Sequence, residues 1–227
     1  MNKFPASFFP IVKGADQGKF MIGKLNFDSG FCGNRLTFDI IFFLSQILPG
    51  LFLGNFKDAR DTEQLKQNNI THILSIHDSA RPMLEGIKYL CIPAADSPSQ
   101  NLARHFKESI AFIHECRLRG EGCLVHCLAG VSRSATLVVA YIMTITDFGW
   151  EDALSVVRVS RSCANPNTGF QQQLENFEKN EVAQFRDWLK ANYGENPLQD
   201  NQEAQALLQK YRLHAADPYK EFRKAVE

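Results

Sequence analysis

The sequence predicts an α/β fold whose central, largely parallel sheet is flanked by helices, and three observations carry that expectation. From Ile47 onward, short apolar runs alternate with longer segments of helical period, the pattern of parallel strands joined by covering helices. The stretch Cys123 to Met143, CLVHCLAGVSRSATLVVAYIM, passes from an apolar run through a tight loop into a segment apolar on nearly every face. That is a buried strand feeding a buried helix. With 227 residues, 44% of them hydrophobic, the chain can bury one substantial core and carry extensions.

Residues 1–46 mix Gly, Asp, Asn and Lys with Phe without a sustained period, and read as an irregular, poorly ordered N-terminal extension. GLFLG (Gly50 to Gly54) is a short strand, and the polar segment from Asp58 to Asn69 a helix with Asp58 or Asp61 as its cap. THILSIH and IKYLCIPA are the next strands. LARHFKESIAFIHECRLRG follows as an amphipathic helix, with Leu102, Phe106, Ile110 and Ile113 on one face and Gly120 past its end. After the strand Cys123 to Cys127 come helices over Ser134 to Asp147 and Gly149 to Arg161, then one or two more through Gly194. The tail from Glu203 reads as one or two weak amphipathic helices. The organisation expected is an extension over 1–46, a catalytic domain over 47–182 and a helical C-terminal extension over 183–227.

The loop between Cys127 and Ser134 suggests the chemistry. A junction from a strand's C-terminal end to a helix N-terminus presents unpaired N–H groups and the positive end of the helix dipole, which suits a phosphate. There is no G-x-x-x-x-G-K-[ST], hence no nucleotide P-loop lysine or built-in magnesium ligand. In its place stands Cys127, whose thiol would face the same N–H groups and the Arg133 cation, both of which favour the nucleophilic thiolate. Leu128, Ala129, Gly130, Val131 and Ser132 are mostly small and let the backbone wrap around three phosphoryl oxygens. Arg133 would offer its planar fork to two of them. A buried structural cysteine is the bland alternative, but His126, Gly130 and Ser134 around a strand-to-helix turn argue against it.

A departing oxygen needs a proton donor, and two aspartates follow strands on the same edge of the sheet: Asp96 in IPAADSPSQN and Asp78 in IHDSARP. Local sequence leaves both open, and either could be a turn former or cap. Lys+Arg 25 against Asp+Glu 25 gives zero net charge, which offers no bulk attraction to nucleic acid or an anionic membrane. The six cysteines show no paired metal-ligand spacing, and a reactive thiolate needs a reducing, intracellular compartment. Cys91 raises a redox option as a disulfide partner of Cys127, with core filling as its alternative; Cys123, ~13 Å away along a straight strand, is too far.

His126, Cys127, Gly130, Arg133 and Ser134 match H-C-x5-R-[ST], and AYIM (Ala140 to Met143) and NPNTGFQQQL follow downstream. On these motifs, over Ile47 to about Asp200, the chain resembles the dual-specificity protein phosphatases, in particular their small, atypical, JNK-stimulatory members. The resemblance implies the cysteine-dependent protein tyrosine phosphatase fold and a metal- and cofactor-independent hydrolysis of phosphotyrosine and phosphoserine/phosphothreonine through a phosphocysteine. It implies Cys127 as nucleophile, Arg133 and the loop Leu128 to Ser132 as phosphate binders, and Asp96 as acid, above Asp78. Ser134 would donate to the returning sulfur, and His126 would brace the loop. Phosphoproteins are the implied substrates and JNK/MAP kinase-type kinases the implied partners, with a monomeric, cytoplasmic and also nuclear protein expected.

Residues 4–46 have no counterpart in that resemblance. Nine of the chain's 18 Phe lie there, and FFLSQ precedes the point where the match resumes at Ile47. A translated retained intron or mispredicted exon is expected, with a genuine alternative first exon as the other reading. Residue 2 is Asn, so no glycine is available for myristoylation and no stable membrane anchor is expected in this form.

Overall fold

The computed structural model describes residues 44–216; the expectations for the rest of the N-terminal extension and for the last residues of the tail lie outside them. Five strands form one sheet in the order β1-β2-β5-β3-β4. They are β1 (Ser45–Leu48), β2 (Leu51–Gly54), β3 (Ile70–Ile76), β4 (Lys88–Ile92) and β5 (Gly122–His126). All neighbours run parallel except β1, which pairs antiparallel with β2. Because parallel strands need covering crossovers, both faces of the sheet are buried. β5, at the centre, is buried along its whole length.

Alternation along β5 sends Cys123 and Val125 into the larger core and Leu124 into the smaller one. Helices α2 (Phe106–Leu118), α3 (Arg133–Ile145), α4 (Trp150–Ser160), α5 (Thr168–Asn180), α6 (Val182–Tyr193) and α7 (Asp200–Ala216) gather around the larger core. The short α1 (Thr62–Gln67) and the turn before it cover the smaller one. α3 is enclosed from Arg133 to Thr144, as its all-round apolar sequence requires. Leu102, Phe106, Ile110 and Ile113 are all buried, on the predicted face of α2.

Two details differ from the sequence reading, and a third settles what it left open. β1 starts at Ser45, inside the segment read as irregular, because its pairing of Ser45 with Leu53 and Gln46 with Phe52 uses backbone groups and needs no side-chain pattern. Helix α1 is shorter than read: Asp61 is its cap, accepting from Gln64 N at 3.1 Å, while Asp58 is turned to Asn55 N at 2.7 Å. The described part of the tail is one helix, α7, which packs on α4 and reaches β1. Its first residue, Asp200, makes a buried bidentate pair with Arg117 at 2.6 and 3.0 Å, and Arg117 also donates to Tyr141 Oη and Pro49 O.

Candidate active site

Cys127 follows the last residue of β5 and points into the larger core side, level with the start of α3. The loop after it is held from outside, carbonyl by carbonyl. Leu128 O accepts from Phe56 N at 3.2 Å and Val131 O from Asn165 N at 2.8 Å. Ala129 O and Gly130 O accept from Arg161 Nη2 and Nε at 3.0 and 2.7 Å. A planar trans peptide sets each N–H opposite the preceding carbonyl, so anchoring these oxygens outward turns the N–H groups of Ala129, Gly130, Val131 and Ser132 inward. Gly130 has φ +69°, and a Cβ there would overlap the Arg161 guanidinium and the Gly54 carbonyl. Only glycine fits this loop position.

The Cys127 sulfur accepts from Gly130 N at 3.1 Å and from Ser134 Oγ at 3.2 Å. Burial pushes the thiol pKa up, but the Ser134 hydroxyl and the N–H groups of Ser134, Val131 and Gly130 outweigh it, leaving the pKa below the ordinary cysteine value.

Arg133 is the first residue of α3 and is buried. Its Nη1 donates to Ala94 O at 2.9 Å and to Asp78 Oδ2 at 3.1 Å. Its Nε lies 3.5 Å from Asp96 Oδ2, yet is buried without a hydrogen-bond partner. A buried orphan donor is costly in a folded chain, and here it lies beside the cradle, where an anion would satisfy it. Both candidate aspartates therefore meet at one guanidinium. Asp96 is the more fixed: its Oδ1 accepts from Ser132 Oγ at 2.7 Å and Asn167 Nδ2 at 2.9 Å, and its side chain is 37% exposed against 61% for Asp78.

His126 faces the other side of the sheet, beside Phe56 and His77. Burial pushes its pKa down to about 4, with a smaller downward push from His77 against a raising bond to Cys127 O. The ring is neutral at physiological pH and pairs through Nδ1 with the Cys127 carbonyl at 3.1 Å. The structure thus brings Cys127, Leu128 to Ser132, Arg133, Ser134, Asp96 and His126 to one place.

Four residues escaped the sequence reading. Arg161 aims the loop, Asn165 and Asn167 tie it and Asp96 to the turn before α5, and Gln173 holds the acid loop by accepting from Leu102 N and Ala103 N at 2.7 and 3.0 Å. The loop also lies against Gly169, where a Cβ would overlap the Pro98 carbonyl. Only the NPNTGFQ stretch hinted at this; the partners are 31 to 73 positions apart. The redox reading of Cys91 is corrected: Cys91 and His126 both pair with Ser75, so Cys91 lies two strands away, ~10 Å, on the face opposite Cys127. It is a free, half-buried thiol there.

A thiol of lowered pKa under converging N–H donors, beside an arginine with an unsatisfied donor and a tethered carboxyl, suits phosphoryl transfer to sulfur and defines the class of cysteine-dependent phosphatases. Within that class the chain belongs to the dual specificity phosphatases, whose catalytic domain matches residues 51–180. It is 77% identical over 165 residues to the dual specificity protein phosphatase 22 of Homo sapiens, covering 73% of this chain and 90% of that one. Dual specificity protein phosphatase 15 of Mus musculus is 50% identical, covering 73% and 70%. The crystal structure of DUSP15 superposes with TM-score 0.66 at 52% identity, over 68% of this chain and 99% of that one. The protein is accordingly a dual-specificity protein phosphatase, a hydrolase acting on phosphoproteins.

Proposed function

We propose that the protein removes phosphate from phosphotyrosine and from phosphoserine/phosphothreonine through a phosphocysteine on Cys127. The observation that carries this reading is the loop whose outward-held carbonyls turn successive N–H groups onto the Cys127 sulfur. The thiolate attacks phosphorus in line, and the P–O bond to the leaving group breaks as the S–P bond forms. The loop N–H groups and the Arg133 Nε edge take up the charge on the equatorial oxygens. Asp96 gives its proton to the departing oxygen. As a carboxylate it then removes a proton from water, which displaces sulfur, and Ser134 Oγ steadies the returning thiolate. His126 braces the loop without moving protons.

Leu128, 51% exposed in the loop itself, gives the site an apolar rim suited to side-chain phosphates on protein. The zero net charge favours phosphoprotein over polyanionic substrates. We assign JNK/MAP kinase-type signalling as the setting, and a cytoplasmic, also nuclear, monomer; the motif resemblance of the catalytic domain supports the signalling setting.

Acid quench during turnover of an aryl phosphate, followed by peptide mapping, should find phosphate on Cys127 and none in Cys127→Ser. Label on another residue, or turnover surviving in Cys127→Ser, would refute the mechanism. Phosphotyrosine and phosphothreonine peptides assayed together test the dual specificity.

A further inference from the structure

On the same face of the sheet, beneath the root of β5, lies a cluster that the phosphatase chemistry does not use. We propose that His72, Cys116 and Glu121 form a binding site for a zinc ion. This inference is independent of the phosphatase mechanism.

His72 comes from β3, Cys116 from α2 and Glu121 from the turn into β5, and one donor atom from each lies within 4.8 Å of the others. His72 Nδ1 and Glu121 Oε2 are 3.3 Å apart, already the ~3.3–3.8 Å separation of two ligands on a tetrahedral zinc with bonds of about 2.0–2.3 Å. Closing the third side takes about 1 Å. Thr71 Oγ1 sits 2.8 Å from both of these atoms. One imidazole, one thiolate and one carboxylate suit zinc and disfavour magnesium or calcium, which take oxygen sets. His72 and Cys116 are buried, whereas the Glu121 side chain is 31% exposed, which leaves an entry path and a fourth position for water. The two anionic ligands neutralise the ion.

Arg119 is the group that opposes the ion. Its Nη2 lies 2.9 Å from His72 Nε2, and since guanidinium can only donate, Nε2 is the acceptor and Nδ1 carries the proton. Its Nε also lies 3.6 Å from Glu121 Oε2. Coordination through Nδ1 releases the Cys116 proton to buffer and leaves a neutral imidazole protonated at Nε2, which breaks the Arg119 bond. Arg119 is half-exposed and can turn to water. The structure therefore assigns Arg119 as a competitor that holds the site in its metal-free form.

Binding is measured in Cys127→Ser, which removes the reactive active-site thiol, with a phosphine reductant present. Titration with zinc should show one equivalent bound, a rise in unfolding temperature with zinc concentration, and, with cobalt(II) as probe, thiolate-to-metal charge-transfer absorption. Cys116→Ser should lose the charge-transfer band, and His72→Ala should weaken binding at least tenfold. Arg119→Ala, a surface change that leaves the core intact, should tighten zinc binding on the order of tenfold by removing one adjacent positive charge. No bound equivalent in Cys127→Ser, a charge-transfer band retained in Cys116→Ser, or weaker binding in Arg119→Ala would each overturn the proposal. Loss of phosphatase activity has no bearing on these readouts.

Discussion

Replacing Arg161 tests whether the phosphate cradle is aimed by its outer supports. Arg161 is buried and follows α4, well away from the sulfur in sequence, yet its Nε and Nη2 hold the Gly130 and Ala129 carbonyls at 2.7 and 3.0 Å. Each charge-assisted bond is worth roughly 1.5–3 kcal/mol, and removing the donor leaves a buried carbonyl unsatisfied. Arg161→Ala therefore removes on the order of 3–6 kcal/mol of support, divided between global stability and the loop. If about half is felt when the loop closes on a phosphoryl group, kcat/KM falls on the order of 10- to 100-fold, at 1.36 kcal/mol per decade. Arg161→Lys supplies a point donor in place of a fork and should recover only part. Steady-state kinetics with an aryl phosphate and vanadate affinity should fall in parallel, with thermal unfolding read on the same samples. Parental kcat/KM and vanadate affinity in Arg161→Ala would show that the N–H groups stay inward without outward anchoring, and the reasoning about the loop would fail.

Four further outcomes follow from the same coordinates. Ser134→Ala removes a donor that lowers the Cys127 pKa; because activity rises as the thiol deprotonates, the acid limb of the kcat/KM profile should move to higher pH, and an unmoved limb would contradict this. Asp96→Asn should slow substrates with poor leaving groups by about 10²–10⁴-fold and spare activated aryl phosphates, whereas an equal loss on both would point to binding and not acid catalysis. Asp200→Ala strands the buried Arg117 charge, whose pKa its Tyr141 and Asp200 partners hold up against burial; denaturant unfolding should show a loss of roughly 3–5 kcal/mol. Deleting residues 4–46 places Asn2 and Lys3 where Ser45 and Gln46 pair with Leu53 and Phe52, so the unfolding temperature should shift by no more than about 4 °C, with a larger fall counting against the intron reading.

The alternation of strands and helices, the Cys127-to-Ser134 loop and the glycine within it were legible in the sequence because each is a local pattern. An apolar strand, a short loop and an all-apolar helix dictate a buried strand-to-helix junction wherever they occur, and the anion cradle follows from backbone geometry. Asp96 and Asp78 could be seen as two carboxyls at strand ends, but local sequence could not separate them. Tertiary structure brought both to Arg133 and gave Asp96 alone the Ser132 and Asn167 tethers. β1 was missed because an edge strand can be held by backbone pairing without an apolar period. Arg161 was missed for a different reason: one arginine at a helix end looks like any other until the fold carries it to the Ala129 and Gly130 carbonyls. The two readings of Cys91 stayed open because a sequence gives the order of strands but not their neighbours; the β4-β3-β5 pairing sets it on the opposite face from Cys127 and removes the redox one. Local periodicity determined which elements form; only packing between distant segments decided which donors meet the loop, since those bonds exist only once the sheet has brought their partners together.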